Sequence, residues 1–532
     1  MDCTARYINY QQTGYFSKLV TDYISGNKLL QPFYKHPVSL EGIKSAIAER
    51  KKYLTDRQLL VDALTKQYVS IETSGKVKAN IDKLLLQNTF TITTAHQPNI
   101  FTGPLYFIYK ILHAIKLAAS LAVQIPDSDF VPVYYMGSED ADLDELGHVF
   151  INGEKQEWQT KQTGAVGRMK VDKALIKLID TIAGEVLIHP FGTAIIDVMK
   201  DCYKEGVTVE QATFKLVNEL FKDHGLIILL PDNAALKKAF IPVIEKELTE
   251  GFSHKIVAET AKVFPKEYKV QASGRDINLF YLLDDKRERI EKVDGQWLIV
   301  NSAAKFNTEE FKNELYNNPE RFSPNVILRP VFQELILPNI AFIGGGGELA
   351  YWMELQKVFE AVNVPYPVLI LRNSFLIVDE DQSAVASRLG FGITDLFTKE
   401  TNLLNELVKR ETTVQLSLEK EKQTLTNFYE QLKKVSGAVD VSLIKHTEAL
   451  QAKALKKIAA LEKKLLKAEK KKFDAQQRQL HKLKAVLFPD DNLQERIDNI
   501  IPYYAKWGPD FMQLVYKNSK GLEQEFGIVE SR

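Results

Sequence analysis

Three separated stretches put reactive side chains where an apolar run hands over to a helix-like one. In TAHQPNIFTGPLYFIYK (residues 94–110), His96, Gln97 and Asn99 follow a strand-like segment, and Gly103 and Pro104 stand where a helix would begin. Proline costs no hydrogen bond in a first helical turn. In open α/β sheets, ligands sit at such junctions, outside the carboxyl ends of the strands. An imidazole beside free backbone N–H groups suits a phosphate or a carboxylate. Strand-end hydrogen bonding by His96 and Gln97 is the plainer alternative.

GSEDADLDELGH (residues 137–148) crowds Glu139, Asp140, Asp142, Asp144 and Glu145 at the end of the next predicted strand. Carboxylates so placed can hold Mg²⁺, accept hydrogen bonds from an ammonium or sugar hydroxyls, or raise one another's pKa toward that of a general base. They equally suit the first turn of a helix. IAFIGGGGELAYW (residues 340–352) reads as strand, glycine run and helix, with Gly345, Gly346, Gly347, Glu348 and Tyr351 facing whatever approaches the bare backbone. No Lys-Ser/Thr follows, so it is not a P-loop. Gly345, Gly347 and Ala350 match a loose dinucleotide fingerprint, but no acid stands about 20 residues on to bind a ribose. Arg329, Gln333 and Glu334 form a polar patch in a strand-like apolar context and need partners or a ligand. Arg496, Asn499, Tyr503, Tyr504 and Trp507 have the composition to stack a base or to pack a core.

The elements that must position these residues follow from hydrophobic periodicity. Residues 1–88 read as a mostly helical segment packing on the core. Residues 89–150 form a βαβ unit, the first part of a parallel-sheet core. Residues 151–324 carry small β elements (HVFINGEKQEWQT, GRMKVD, FYLLDDKRERIEKVDGQWLIV) inserted around a helix and a buried strand. α/β text resumes at 325–380. From 381 to 488 a heptad seam, with Leu404, Leu407, Val414, Leu418, Leu425, Phe428, Leu432 and Val435, breaks at 436–440 and restarts with Ile458, Leu461, Leu465 and Ala468. That predicts an antiparallel coiled-coil hairpin with arms of about 60 Å for roughly 40 residues each. Residues 489–532 form a C-terminal segment. The expected class is α/β: a Rossmann-like parallel-sheet core with insertions and a C-terminal antiparallel coiled coil.

Composition narrows the partners. The chain has 532 residues, 45% apolar and 26% charged, with 69 basic against 69 acidic side chains. Such a balance gives no global field toward nucleic acid or a membrane surface. The lysines between 445 and 484 read as a solvated helix face, with phosphate or nucleic-acid contact as the alternative. Cys3 and Cys202 make neither a disulfide framework nor a zinc site, which fits a reducing compartment. No signal peptide or membrane span is apparent, so a cytoplasmic protein is expected.

TAHQPNIFTGPLYFIYKILHAIKLA, VPVYYMGSEDADLDEL, RPVFQELILPNIAFIGGGGELAYWMELQ and NIIPYYAKWGPDF, in that order, resemble the BshC family, assigned as cysteine ligases of bacillithiol biosynthesis. The resemblance implies a Rossmann-like core with connecting-peptide insertions, a coiled-coil domain and a homodimer formed through it. It implies addition of L-cysteine to glucosaminyl-malate, with ATP or another adenine nucleotide as the activating cofactor and Mg²⁺ as a candidate companion. The stretch around His96 is also similar to the histidine-containing phosphate motif of class I nucleotidyl transferases, although no Lys-Met-Ser-Lys-Ser loop follows. On this reading Asp140, Asp142 and His96 are the catalytic candidates. Gln97, Asn99, Gly103, Glu139, Arg329, Gln333, Gly345, Gly346, Gly347, Glu348, Tyr351, Tyr504 and Trp507 bind substrate or nucleotide, and no protein metal site is expected. A nicotinamide-dependent oxidoreductase using the glycine run, or a non-catalytic coiled-coil scaffold, are the alternatives.

Overall fold

The computed structural model describes residues 3–272 and 274–531. Two compact units are present, one running to Leu376 and taking up Leu493–Val529, the other comprising chiefly Ile377–Asn492. The 489–532 segment therefore does not stand apart, since most of it folds with the first unit.

The first unit is organised by five parallel strands. Across the sheet they run Val368–Leu371, Asn339–Gly344, Thr89–His96, Asp129–Met136 and Ile227–Leu229. Numbered in chain order this is fifth, fourth, first, second, third, so the direction of winding reverses between the first and fourth strands. Thr89–His96 is buried throughout, as expected of a central parallel strand covered on both faces. Three of its four threonine hydroxyls are satisfied internally: those of Thr91 and Thr93 donate to Asn339 Oδ1 at 3.1 and 2.8 Å, and that of Thr94 to the Ile343 carbonyl at 2.9 Å. The Tyr106–Gln124 helix packs on the first two strands. It is long and apolar enough to cross a membrane, but two-thirds of that stretch is buried in this fold, which marks it as a core helix.

Insertions surround the sheet. His148–Ile151 and Glu154–Glu157 form a hairpin. Helices Lys173–Val186, Gly192–Cys202 and Val209–Phe221 build a second apolar core that includes Trp158, Tyr203, Ile501 and Ala505. An antiparallel sheet follows, with Lys305–Phe306, Gln296–Ile299, Arg287–Val293, Leu279–Leu282 and Phe322–Pro324 in that spatial order.

Four local readings change. The mostly helical N-terminal stretch opens with a strand, Cys3–Ile8, that the periodicity does not show. GRMKVD is not a strand either; Val166–Arg168 is a 3₁₀ turn and only Lys170 bridges to Thr208. Arg329–Ile336, expected in strand-like context, is a helix with Pro330 in its first turn. The apparent strand merged the end of this helix with the following strand across Pro338.

The fourth change concerns the hairpin of the second unit. Its arms are Glu419–Val439 and Leu443–Lys470, of 21 and 28 residues, or about 30 and 40 Å. Leu404 and Leu407 lie on a separate helix, Glu400–Glu411, while Val414 and Leu418 fall in or beside the non-helical link between the two. Residues 412–414 are β-branched, which disfavours continued helix. The link is also tied to the long arm, Thr412 donating to Glu469 at 3.0 Å and the Leu418 N–H to Glu462 at 3.0 Å. Helix continues through 436–439, and the turn comes at residues 440–442. A Cβ on Gly437 would lie 3.0 Å from Ile444, so glycine there lets the arms approach closely beside the turn.

Candidate active site

A cavity of about 620 Å³ opens at the carboxyl ends of all five parallel strands. His96 and Gln97 enter it from the first strand, Glu139 and Asp140 from beyond the second, Pro231 from the third, Gly345–Gly347 from the fourth and Arg372 from the fifth. The cavity spans the reversal between the first and fourth strands, where an open parallel sheet leaves a crevice because its crossover connections leave in opposite directions. Its lining carries six cations, Lys110, Arg275, Arg287, Arg329, Arg372 and Arg496, against four carboxylates, Glu139, Asp140, Glu145 and Glu348. A neutral chain thus concentrates positive charge in one place.

The loop after the first strand is held from elsewhere. Phe101 and Thr102 have φ of 51° and 73°, and Gly103 follows at 64°. Such backbone persists for non-glycine residues only where its surroundings fix it. Asn499 donates to the Phe101 and Gly103 carbonyls at 2.8 and 2.6 Å, and the Tyr203 hydroxyl accepts from Phe101 N–H at 3.0 Å. His96 is buried between Tyr106 and Phe107, with Nε2 lacking a partner among the described residues. Burial, then the charges of Lys110, Arg372 and Arg329, hold its pKa well below the usual imidazole value. The ring is neutral at neutral pH.

Lys110 is buried on the core helix and donates to the Ala95 carbonyl at 2.9 Å while pairing with Glu348. Glu348 also accepts from the Gly345 N–H at 2.8 Å, capping its own helix. The glycines are not equivalent. A Cβ on Gly346 would come within 2.8 Å of Val20, so that glycine serves packing, whereas a Cβ on Gly347 would meet nothing within 4 Å. The run follows the fourth strand, not the first, so it does not occupy the place of the dinucleotide fingerprint. Arg372 is clamped by Glu495 at 2.7 Å and Ser374 at 2.9 Å, and lies over the Tyr106 ring at 4.9 Å. Arg329 donates to the Tyr351 hydroxyl at 2.6 Å.

The acidic cluster separates into different roles. Glu139 is buried against Lys237, and burial raises its pKa despite that partner. Asp140 remains at the cavity wall, where Oδ2 accepts from Gln97 Nε2 at 3.1 Å and Oδ1 from the Ala141 N–H at 2.8 Å. Glu145 also lines the wall, its pKa raised by partial burial and by Asp140 and Asp142. Asp142 is exposed and outside the cavity, accepting from the Glu145 N–H at 3.1 Å as the N-cap of Leu143–Leu146. Among the described residues, no group of three His, Cys, Asp or Glu side chains converges as a metal-holding set.

Of the residues singled out from sequence, His96, Gln97, Glu139, Asp140, Glu145, Arg329, Gly345, Gly346, Gly347, Glu348, Tyr351 and Arg496 therefore meet at one cavity. The others do not line it. Asn99 and Gly103 shape the preceding loop, where a Cβ on Gly103 would come within 2.7 Å of Asn99. Gln333 is buried on Glu334, Tyr504 packs on the insertion core, and Trp507 stacks on Phe511. Sequence reading missed Lys110, Arg275, Arg287 and Arg372. Arg372 had one usable signal, a cation immediately after the apolar run VLIL.

Residues 1–373 match the family model described as bacillithiol biosynthesis BshC, N-terminal Rossmann-like domain, and residues 375–531 match that of the BshC C-terminal coiled-coil domain. A relative from Flavobacterium johnsoniae is 40% identical over 524 residues, 98% of this chain and 99% of its own. One from Christiangramia forsetii is 37% identical over 529 residues, 98% of each. One from Bacillus cereus is 27% identical over 533 residues, 96% of this chain and 98% of its own. All three bear the name "Putative cysteine ligase BshC". The chain belongs to the BshC family.

Proposed function

We propose that this BshC-family chain is a carbon–nitrogen ligase that joins the carboxyl group of L-cysteine to the amine of glucosaminyl-malate, forming bacillithiol. The observation that carries the reading is a carboxylate held in place, Asp140, in a cation-rich cavity at the switch point of the sheet. An amine must lose a proton as it attacks an acyl carbon. Asp140, oriented by Gln97 and by its own turn, is the group that holds the ammonium and accepts that proton. Glu145 stands on the same wall and shares the cationic end of the substrate. His96, neutral and buried between Tyr106 and Phe107, serves as a hydrogen-bonding wall rather than as the proton carrier, because burial and the cations around it oppose formation of an imidazolium. Asp142, engaged as a helix cap, supports the turn that carries Asp140.

Condensing a carboxylate with an amine in water is uphill, so an adenine nucleotide would supply the activating phosphoryl or adenylyl group. The cavity fits an anion of that kind: the Gly347 backbone faces open space at a helix start, and Lys110 and Arg372 lie beside it. Backbone at Gly345–Gly347 with these two cations would hold the phosphates, and Mg²⁺ would find most of its ligands on them. The proposal includes a homodimer formed through the hairpin, whose Phe428 and Val435 are 52% and 65% exposed, and a cytoplasmic setting.

Incubating the purified protein with ATP, cysteine and glucosaminyl-malate, and following bacillithiol by mass spectrometry, tests the reading. ATP-dependent product that is lost in Asp140→Asn is expected. A correctly folded protein that forms no product would reject it.

A further inference from the structure

Two arginines at the cavity belong neither to the parallel sheet nor to any residue set legible in the sequence. Arg287 stands at the start of the Arg287–Val293 strand and Arg275 just before Leu279–Leu282, both in the inserted antiparallel sheet region. Between them is Phe280, with the Arg287 guanidinium carbon 3.9 Å and that of Arg275 6.0 Å from its ring centre. All three line the cavity. A guanidinium laid on an aromatic face keeps its N–H edge free for a planar anion.

Neither arginine has a carboxylate within ion-pair distance among the described residues. Arg287 spends Nε on the Ser323 hydroxyl at 3.2 Å and one terminal nitrogen on the Pro324 carbonyl at 3.5 Å, which leaves the other terminal nitrogen open. Burial pulls its pKa down, and the nearby charges of Asp140 and Glu139 offset part of that cost. Arg275 has no side-chain hydrogen bond among the described residues, yet its backbone is pinned twice. Its N–H donates to Asn278 Oδ1 at 3.1 Å and its carbonyl accepts from Asn278 Nδ2 at 3.0 Å. Asn278 is fully buried and is fixed by Glu247 at 2.8 Å, Ser253 at 2.7 Å and Asn325 at 2.8 Å. The buried network fixes the Arg275 backbone at the cavity wall, and its guanidinium, without a polar partner among the described residues, is available to an anion.

We propose that Arg275 and Arg287, flanking Phe280, form a clamp for the dicarboxylate of the amine substrate and thereby set which amine the enzyme accepts. The identity of the dianion rests on the ligase reading above. In a glucosaminide the amine sits on the carbon next to the one bearing the aglycone. A malyl group held at Arg287 therefore leaves the amine close by, where Asp140 stands. The glycine run and Lys110 come from other strands and helices and remain available to phosphates.

Calorimetric titration of wild type, Arg275→Gln and Arg287→Gln with glucosaminyl-malate, methyl glucosaminide and ADP tests the clamp. Each variant should bind glucosaminyl-malate at least tenfold more weakly, as expected for loss of charge-assisted bidentate contacts, with the other two ligands unchanged within twofold. Unchanged glucosaminyl-malate affinity in Arg275→Gln would overturn the clamp. So would a loss confined to ADP, which would make the arginines a phosphate site. Arg275, exposed and without polar side-chain partners among the described residues, should keep the wild-type melting temperature and decides the matter if Arg287→Gln folds poorly. Because binding is read directly, a protein that shows the expected losses but makes no amide keeps the clamp and loses the ligase reading. A protein whose Arg275→Gln variant makes product at unchanged KM keeps the ligase reading and loses the clamp.

Discussion

Alanine at two consecutive glycines of the run should produce opposite phenotypes. Gly346 and Gly347 occupy the first turn of the same helix, and neither has the positive φ that would forbid a side chain. At Gly346 the added Cβ lies 2.8 Å from Val20 Cγ2, about 1 Å inside normal contact, with the side chain of a packed helix in the way. Overpacking of that kind costs about 1–3 kcal/mol. At Gly347 the Cβ meets nothing within 4 Å, and replacing helical glycine by alanine gains about 0.5–1 kcal/mol from lost unfolded-state freedom. Gly346→Ala should therefore lower the denaturation midpoint, and Val20→Ala added to it should restore most of the loss by removing the clashing methyl. Gly347→Ala should melt at or slightly above wild type yet weaken ADP binding, because its methyl projects where the backbone now faces open cavity. Urea titration followed by circular dichroism, paired with ADP calorimetry, reads both effects. A stable Gly346→Ala, or Gly347→Ala with undiminished ADP affinity, would refute the division of labour drawn from these distances.

Asp140→Asn should cut turnover by about 10²–10⁴ with little change in melting, since general-base removal acts on the transition state and the asparagine can keep the turn; steady-state product formation by mass spectrometry checks this. Asn499→Ala leaves the Phe101 and Gly103 carbonyls without their donor and should destabilise by about 1–3 kcal/mol while raising proteolytic cleavage near residue 102, read by limited proteolysis. Burial raises the Asp498 pKa from 3.8 to about 6, so the folded state holds this proton after the unfolded chain has released it. Its contribution to stability is present below about pH 4 and is lost as pH rises toward 6. The melting advantage of Asp498→Asn over wild type should accordingly grow from pH 4 to 6 and then level off; a flat difference across calorimetric scans would show that Asp498 does not titrate in this way. Gly437→Val should force Ile444 away and loosen the hairpin turn, visible as faster amide exchange at residues 436–444.

What the sequence determined by itself was everything carried by local pattern. The central strand shows as the β-rich TFTITTAH, the core helix as GPLYFIYKILHAIKLAASLAV, and the second strand as DFVPVYY, because periodicity and Gly-Pro starts act over a few residues. Since a parallel sheet exposes its strand ends on one side, the residues just beyond those strands, His96, Gln97, Asp140 and Gly345–Gly347, could be nominated together. The same locality explains the misreadings. Asp142 looks like its neighbour Asp140 in composition, but a one-turn helix begins after it and takes its carboxylate as a cap. Val414 and Leu418 keep the heptad spacing, yet their link is bonded to the partner arm instead of continuing the helix.

Only the tertiary structure decided which cations meet those residues. Arg275 and Arg287 come from an inserted sheet, Arg496 from the returning C-terminal segment and Lys110 from the buried face of a helix, where sequence pattern predicts an apolar side chain. Their convergence depends on how distant segments pack, which no short-range signal encodes. The winding reversal that opens the cavity is equally non-local, since it exists only once five strands separated by long insertions have taken their order in one sheet.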